Sequence, residues 1–158
     1  MNMWCSTDSV LIFATHTTIG GEEYVPLIRP VNHFSPLWRI PGGLVHKKEY
    51  LKVAAVREYK EETGLLLCDL SQEVLVKEVS LRFNHSLKHR QYFFTGKVRN
   101  LTGIFNEPVA DGKEFLLVKL FPLNAIKKYL FEAIFFDEYE MLISHIRILR
   151  RQLRLEVA

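Results

Sequence analysis

The sequence predicts an α/β fold in which a mixed β-sheet is flanked by helices. Apolar runs of strand length come first along the chain, one helical pattern follows them, and further strand-like runs lead to a helical C-terminal segment. That order favours a single mixed sheet covered by helices. The 158 residues and the 48% hydrophobic content suit one globular domain, so we expect residues 1–158 to form a single domain.

The first strands surround a glycine turn. Val10–Ala14 is an apolar run, and Tyr24–Arg29 is the expected returning strand. Between them the pair Gly20–Gly21 can adopt positive φ, as a hairpin turn requires. Leu37–Ile40 is predicted as a short strand that ends at Pro41–Gly43.

A helical pattern then runs over Glu49–Thr63, and Gly64 stands where a left-handed C-cap glycine belongs. Two longer strands follow at Val74–Phe83 and His89–Val98. We expect the polar segment Asn84–Ser86 to connect them, so the sequence predicts a helix followed by a strand pair.

The last third of the chain begins with a turn signal at Ala110–Lys113, which precedes a strand at Phe115–Phe121. Pro122–Asn124 can open a short helix. Asp137 can cap a final helix, because the apolar residues of Leu142–Leu153 recur at three- and four-residue spacing.

The composition excludes several classes of protein. No apolar run approaches the roughly 20 residues of a membrane helix, and the N-terminus lacks signal-peptide features. Cys5 and Cys68 are too few for a disulfide framework and form no metal-binding pair. We therefore expect a cytoplasmic protein that does not contact membranes.

Two features concern macromolecular partners. The arginines near the C-terminus, Arg147 to Arg154, could contact RNA, but a solvated helix face explains them more simply. We therefore do not expect nucleic acid as the main partner. The apolar segment Tyr129–Tyr139 could form a homodimer interface, although such a run is more often core.

The chemistry centres on three crowded carboxylates, Glu58, Glu61 and Glu62. On a helix Glu58 and Glu62 lie about 40° apart, on the same face as Ala54 and Ala55. That face should pack against the sheet, and burying unpaired carboxylates costs several kcal/mol each. A divalent cation such as Mg²⁺ or Mn²⁺ would compensate this cost. The alternative is a solvated helix face screened by neighbouring basic residues.

The residues around these carboxylates favour the metal site. Residues 43–65 read GLVHKKEYLKVAAVREYKEETGL. This stretch resembles the signature of the MutT-like Nudix hydrolases, G-x5-E-x7-R-E-U-x-E-E-x-G-U, where U is a bulky aliphatic residue. The matching residues are Gly43, Glu49, Arg57, Glu58, Glu61, Glu62, Gly64 and Leu65. Tyr59 stands where an aliphatic residue is usual, and its hydroxyl needs a partner if it is buried. The resemblance implies the family's α/β/α sandwich.

The resemblance also implies a reaction, the hydrolysis of a diphosphate linkage in a nucleoside diphosphate joined to another group. The partner would be a small-molecule nucleotide, and the cofactor would be Mg²⁺, with Mn²⁺ as a substitute. The implied metal ligands are Glu58, Glu61 and Glu62 together with the backbone of Gly43 or its neighbour Gly42. Water would attack phosphorus.

Further roles follow from the same resemblance. Arg57 is expected to orient the helix carboxylates through a salt bridge with Glu49, while Gly43 and Gly64 shape the backbone. The resemblance implies a general base from the motif helix or from a later loop, where Glu107 is the first candidate and Glu114 the second. For each of the two, a surface loop acid without a catalytic role is the alternative.

Two arginines, Arg29 and Arg39, lie close in sequence to the segment Pro41–Gly43, called the glycine loop below. They are candidates for binding phosphate, since Arg does so bidentately, and plain surface ion pairing is the alternative. Aromatic residues such as Trp38 could stack on a base, although core packing is their more common use.

The sequence does not name the substrate. Family members that act on ADP-ribose often carry a proline where this chain has Leu81, and the tyrosine typical of dinucleoside polyphosphate hydrolases is missing near Phe83. Elimination favours a nucleoside triphosphate type. The alternative function is a catalytically silent Nudix-like domain that binds a nucleotide for regulation. All motif carboxylates are present, so hydrolysis is the favoured hypothesis.

Overall fold

The computed structural model describes residues 7–31, 38–73, 75–81, 84–98, 101, 109–111, 114–126 and 147. Within these ranges the strands are β1 (Thr7–Thr17), β2 (Glu23–Pro30), β3 (Gly42–Leu44), β4 (Leu67–Cys68), β5 (Leu75–Leu81), β6 (Asn84–Val98), β7 (Val109–Asp111) and β8 (Glu114–Pro122). The helix α1 spans Leu51–Thr63, and a 3₁₀ turn at Leu123–Ala125 follows β8.

The described strands form one mixed sheet in the order β4-β6-β1-β2-β8-β7, with β3 paired to β1 and β5 paired to β6. β1 runs parallel to β6, from the Thr7–His89 pair to the Thr15–Lys97 pair. β2 is antiparallel to both β1 and β8. A parallel pair needs a long crossover connection, and the chain between β1 and β6 includes α1. The predicted α/β class is confirmed.

The two faces of the sheet bury different apolar clusters. One cluster joins α1 to the sheet through Ala54, Ala55 and Tyr59, which pack with Val10 and Phe94. The cluster on the opposite face has different members: Phe13, Val25, Leu27, Ile40, Phe93, Phe121 and Ile126. Because α1 presents small alanines to the sheet, its axis can lie close to the strands.

The predicted turn before β2 and the predicted cap of α1 are confirmed, whereas Ala110 and Asp111 of the predicted turn Ala110–Lys113 belong to strand β7. Gly21 has φ 82° in the β1–β2 turn, and Gly64 has φ 70° at the end of α1. The Gly64 N–H donates to the Lys60 carbonyl at 2.8 Å. Gly20 needs no positive φ. α1 begins at Leu51, two residues after the predicted start, because Tyr50 is still extended.

Other boundaries differ from the prediction. Of the strand expected at Leu37–Ile40, the described residues show a single bridge between Arg39 and Ile28. Gly42–Leu44, which follows the proline and was expected to end a strand, is itself the strand β3. Asn84–Ser86 is the start of β6 rather than a connection, since Leu81 pairs with Asn84. Strand pairing with distant partners extends these segments, and local composition does not reveal it.

The sequence pattern missed β4 and β7, which are only two and three residues long. The final helix expected after Asp137 and the apolar segment Tyr129–Tyr139 lie outside the described residues. Of the C-terminal arginines, the structure describes Arg147, which is exposed and helical. Among the helices that the structure describes, none is long and apolar enough to cross a membrane.

Candidate active site on helix α1

Helix α1 turns two of its three carboxylates toward the sheet. Glu58 is 7% exposed and Glu62 is 4% exposed, whereas the Glu61 side chain is 46% exposed. Glu58 and Glu62, which helical spacing places on the side that faces the sheet, are therefore buried as predicted. Two buried anions so close together need compensating charges or donors.

Glu62 binds the glycine loop. Its Oε2 accepts a hydrogen bond from the Gly42 N–H at 2.8 Å, and its Oε1 lies 3.6 Å from Nη2 of Arg39. The Gly42 N–H therefore points away from β1 and toward the helix. The sequence predicts the Gly42 backbone only as a possible metal ligand and does not indicate that its N–H donates to Glu62.

Glu58 lies against the backbone of Gly43. A Cβ atom added at Gly43 would be 2.3 Å from Oε2 of Glu58, so a side chain at this position would displace the carboxylate. The absence of a side chain at Gly43 thus creates the space that the Glu58 carboxylate occupies.

Arg57 connects the acidic groups of the motif. Its guanidinium donates to both oxygens of Glu49, with Nε–Oε1 at 2.8 Å and Nη2–Oε2 at 2.9 Å. Nη1 donates to Glu58 at 2.7 Å and to Glu61 at 3.1 Å. Nη2 also donates to the Leu44 carbonyl at 2.9 Å. One guanidinium therefore ties α1, β3 and the loop between them together.

Glu49 is the bidentate partner of Arg57. Its Oε2 also accepts the His46 N–H at 2.9 Å, which closes the loop before α1. The hydrogen bonds from Arg57 lower the pKa of the Glu49 carboxyl to about 2. Glu49 raises the pKa of the Arg57 guanidinium in turn. Both groups are therefore charged throughout the neutral range, and the expected salt bridge is present.

The arrangement of the motif carboxylates does not by itself form a closed metal cage. Within the described residues no three side chains of His, Cys, Asp or Glu converge as a metal-binding group. The physical reason is that Arg57 holds Glu58 and Glu61, while Glu62 binds Gly42 and Arg39. The donor set is nevertheless made of the hard carboxylate oxygens that Mg²⁺ prefers.

Comparison with known families decides the identity of the fold. The family model of the NUDIX domain matches residues 7–141. The chain belongs to the Nudix family. A comparison with curated proteins found no match.

Solved structures with the same fold have low sequence identity to this Nudix chain. An Ap4A hydrolase from C. elegans, in a binary complex, is 17% identical with a TM-score of 0.66, covering 91% of this chain and 98% of that one. The NUDIX domain of Shewanella oneidensis NrtR, complexed with ADP ribose, is 16% identical with a TM-score of 0.64, covering 90% and 89%. These similarities confirm the fold.

A MutT/nudix family protein from Enterococcus faecalis is 20% identical, with a TM-score of 0.56. The alignment covers 77% of this chain and 46% of that protein, so this Nudix chain spans less than half the length of that relative.

Replacing Arg57 by Lys should lower kcat of the Nudix protein about 10- to 100-fold, the usual cost of losing a residue that orients metal ligands. Lys cannot reproduce the bidentate grip on Glu49 while also reaching Glu58. Steady-state kinetics with a cleaved nucleotide measures this. Arg90→Lys is the matched control, since Arg90 pairs with Asp8 at 3.0 Å and contacts none of the motif carboxylates. An unchanged kcat for Arg57→Lys would contradict the positioning role.

Tyr59, the residue that departs from the family pattern, is fully buried beneath α1. Its hydroxyl has no hydrogen-bond partner among the residues that the structure describes. Burial raises the pKa of this hydroxyl. Within the described part of the chain, the departure therefore leaves a buried hydroxyl without a hydrogen-bond partner.

Tyr59→Phe should leave the free energy of unfolding unchanged or raise it by about 1 kcal/mol, because it removes a desolvated donor that makes no bond. Urea unfolding measures the change, and kcat should not alter. Tyr24→Phe is the control, since the exposed Tyr24 hydroxyl donates to Glu22 at 3.1 Å. A clear loss of stability on replacing Tyr59 would show that its hydroxyl makes a stabilising bond.

The structure describes side-chain contacts for two of the four remaining site candidates, Arg39 and Arg29. Arg39 lies beside Glu62. Cζ of Arg29 instead lies 4.9 Å from the centroid of the Trp38 ring, and Trp38 packs edge-on against Phe121 at 5.1 Å. Glu107 lies outside the described residues, and Glu114 is described only as the first residue of β8.

Proposed function

We propose that this Nudix protein hydrolyses the diphosphate linkage of a nucleoside diphosphate joined to another group, in a reaction that requires a divalent cation. The observation that carries the proposal is the pair of buried carboxylates, Glu58 and Glu62, held against the backbone of Gly43 and Gly42. Such a pair beside bare backbone is typical of an oxygen-ligand cation site.

The proposed ligands are Glu58 and Glu62, with Glu61 bound directly or through water and the Gly43 carbonyl completing the set. Carboxylate and carbonyl oxygens favour Mg²⁺, and Mn²⁺ should substitute. The cation would supply positive charge opposite the phosphate oxygens.

The protein's own cations would act around this site. Arg57 keeps the carboxylates oriented through its bonds to Glu49 and Glu58. The Arg39 side chain is 48% exposed beside the buried Glu62, so it can reach a phosphate oxygen of the substrate. Arg29 is a second phosphate ligand in this proposal, provided that it leaves the Trp38 ring.

The general base is proposed to be Glu107, which would take a proton from the attacking water. Glu107→Gln should then reduce turnover about 10²- to 10⁴-fold, as expected for loss of acid–base catalysis. Unchanged turnover would exclude Glu107 and direct attention to Glu114 or to Glu61 on the motif helix.

The proposal is tested by assaying hydrolysis of several nucleotide compounds, chosen from the sequence and from the structural relatives. Nucleoside triphosphates follow from the sequence, while Ap4A and ADP-ribose are compounds named with structural relatives. Each is incubated with the protein in Mg²⁺, in Mn²⁺ or in EDTA, and released nucleotide and phosphate are measured. We expect hydrolysis of at least one compound, complete loss in EDTA and recovery when Mg²⁺ is restored.

Absence of hydrolysis in both metals would contradict the proposal and favour the silent nucleotide-binding alternative. Activity that survives EDTA would contradict the metal requirement alone. A cytoplasmic location belongs to the same proposal, supported by a sequence whose two cysteines are too few for a disulfide framework.

A further inference from the structure

The sheet face opposite α1 changes from apolar to polar toward the beginning of β1. Phe13 and Phe93 are buried there in an apolar cluster, with Leu11 packed against it. Alternate residues of a strand share a face, so Ser9, His89 and Gln91 continue this face toward the beginning of β1. A polar patch, Ser9–His89–Gln91, therefore adjoins the apolar core.

Within this polar patch only part of the hydrogen-bonding capacity is used. Ser9 Oγ and His89 Nε2 lie 2.9 Å apart and form a hydrogen bond. Gln91 differs, because its Oε1 is buried and has no hydrogen-bond partner among the described residues. The Gln91 side chain as a whole is partly exposed. A desolvated acceptor without a partner is unfavourable in the free protein, and a ligand that donates to it would recover that cost.

The strand register connects Gln91 to the candidate active site. Leu44 of β3 pairs with Ser9, and Ser9 pairs with Gln91. Neighbouring strands lie about 4.8 Å apart, so Gln91 is roughly 10 Å from Leu44. The Leu44 carbonyl binds Arg57, which in turn binds Glu58. This separation is on the scale of a single nucleoside.

The edge of β3 that faces away from β1 decides on which face a nucleoside can lie, because Glu62 and Arg57 bind the β3 backbone there. The Gly42 N–H points outward to Glu62, so this carboxylate is at the edge of the sheet. α1 covers one face beside it. A substrate whose phosphates sit at this edge therefore places its nucleoside over the other face, where Leu44 is 57% exposed and Gln91 follows across β1.

We propose that Gln91 reads the nucleobase of the substrate by accepting a hydrogen bond from an exocyclic amino group. The inference rests on the proposed function and names the specificity residue within it. The last torsion of a glutamine side chain is broad, so the amide can turn its oxygen toward a ligand. The substrate class is therefore nucleotides of amino-bearing bases, preferred over the corresponding bases that carry a carbonyl at that position.

The test compares nucleoside monophosphates whose bases differ in the exocyclic amino group, namely AMP with IMP and CMP with UMP. Binding of each monophosphate in Mg²⁺ is measured by calorimetry, which needs no turnover. We expect the wild-type protein to bind the amino-bearing member of at least one pair about tenfold more tightly, the effect of one matched buried hydrogen bond. Gln91→Met keeps the side-chain shape without the acceptor and should reduce that ratio to about one.

Two further variants separate recognition from structure. Gln91→Glu retains an acceptor and should retain the preference, while Gln72→Leu removes an exposed glutamine elsewhere and should change nothing. The kcat/KM values for hydrolysis of the corresponding nucleoside triphosphates should show the same preference for the amino-bearing base. A wild-type protein without preference, a Gln91→Met protein that keeps it, or no binding of any monophosphate would overturn the inference. Selective binding without any hydrolysis would instead contradict the proposed function and leave base reading supported.

Discussion

Replacing Glu58 or Glu62 by Gln is expected to reduce kcat by about 10²- to 10³-fold, the equivalent of several kcal/mol of lost transition-state stabilisation at a metal site. Both carboxylates are buried at the glycine loop, whereas the side chains of the other motif carboxylates, Glu49 and Glu61, are more exposed. Gln keeps the size of the side chain but loses the charge that a cation requires. The measurement is kcat at saturating Mg²⁺ with a cleaved substrate.

The position of Glu61 provides a graded comparison. Its side chain is 46% exposed, so Glu61→Gln should reduce kcat less than either buried replacement if its contact with the cation is mediated by water. Glu73→Gln is the matched control, since Glu73 is exposed and lies outside the motif. The assignment of the ligands would be wrong if Glu58→Gln or Glu62→Gln retained full kcat.

Alanine substitutions at Gly43 and Gly42 should have different effects, the first mainly on activity and the second mainly on stability. Gly43→Ala places a Cβ 2.3 Å from Oε2 of Glu58, which is the mobile end of a side chain. The carboxylate can move away, so we expect a folded protein whose kcat is about 10²-fold lower, because a displacement of about 1 Å at a catalytic group has that effect.

Gly42→Ala should act mainly on folding. The added Cβ would lie 2.1 Å from the Val10 carbonyl and 2.9 Å from Cα of Leu11, both backbone atoms. β3 must then shift away from β1, at a cost of about 1–3 kcal/mol or more. Urea unfolding measures this loss.

Gly20→Ala is the control for both glycine variants. Its added Cβ would have Thr18 Oγ1 at 3.9 Å as the nearest atom, and its φ is not in the left-handed region. Stability and kcat should be unchanged. Equal losses of stability in Gly42→Ala and Gly43→Ala would contradict the distinction between backbone and side-chain contact.

Much of the candidate site could be predicted from local sequence. Helical periodicity alone places Glu58 and Glu62 on the face that packs against the sheet, and both are buried. The Arg57–Glu49 pair and the C-cap at Gly64 were likewise predicted and are present. These features depend on residues close together in the chain, so their spacing determines their geometry.

Prediction failed where distant segments meet. The tripeptide Gly42–Leu44 has the composition of a turn, yet it forms β3 because β1 offers unpaired backbone groups. The segment Asn84–Ser86 is polar, yet it extends β6. Arg29 stays a predicted phosphate ligand, and the fold adds a contact that the sequence did not indicate, since its guanidinium lies over the Trp38 ring.

The sequence by itself therefore determined the family, the acidic face of α1 and the guanidinium that orients it, since all of these arise within a 23-residue stretch or from helical periodicity. Only the tertiary structure decided which backbone meets each carboxylate. It also placed Gln91 two strands from Leu44, with an acceptor that no described residue satisfies. The physical reason is that the parallel pairing of β1 with β6 joins residues more than 80 positions apart, and no local pattern encodes that register.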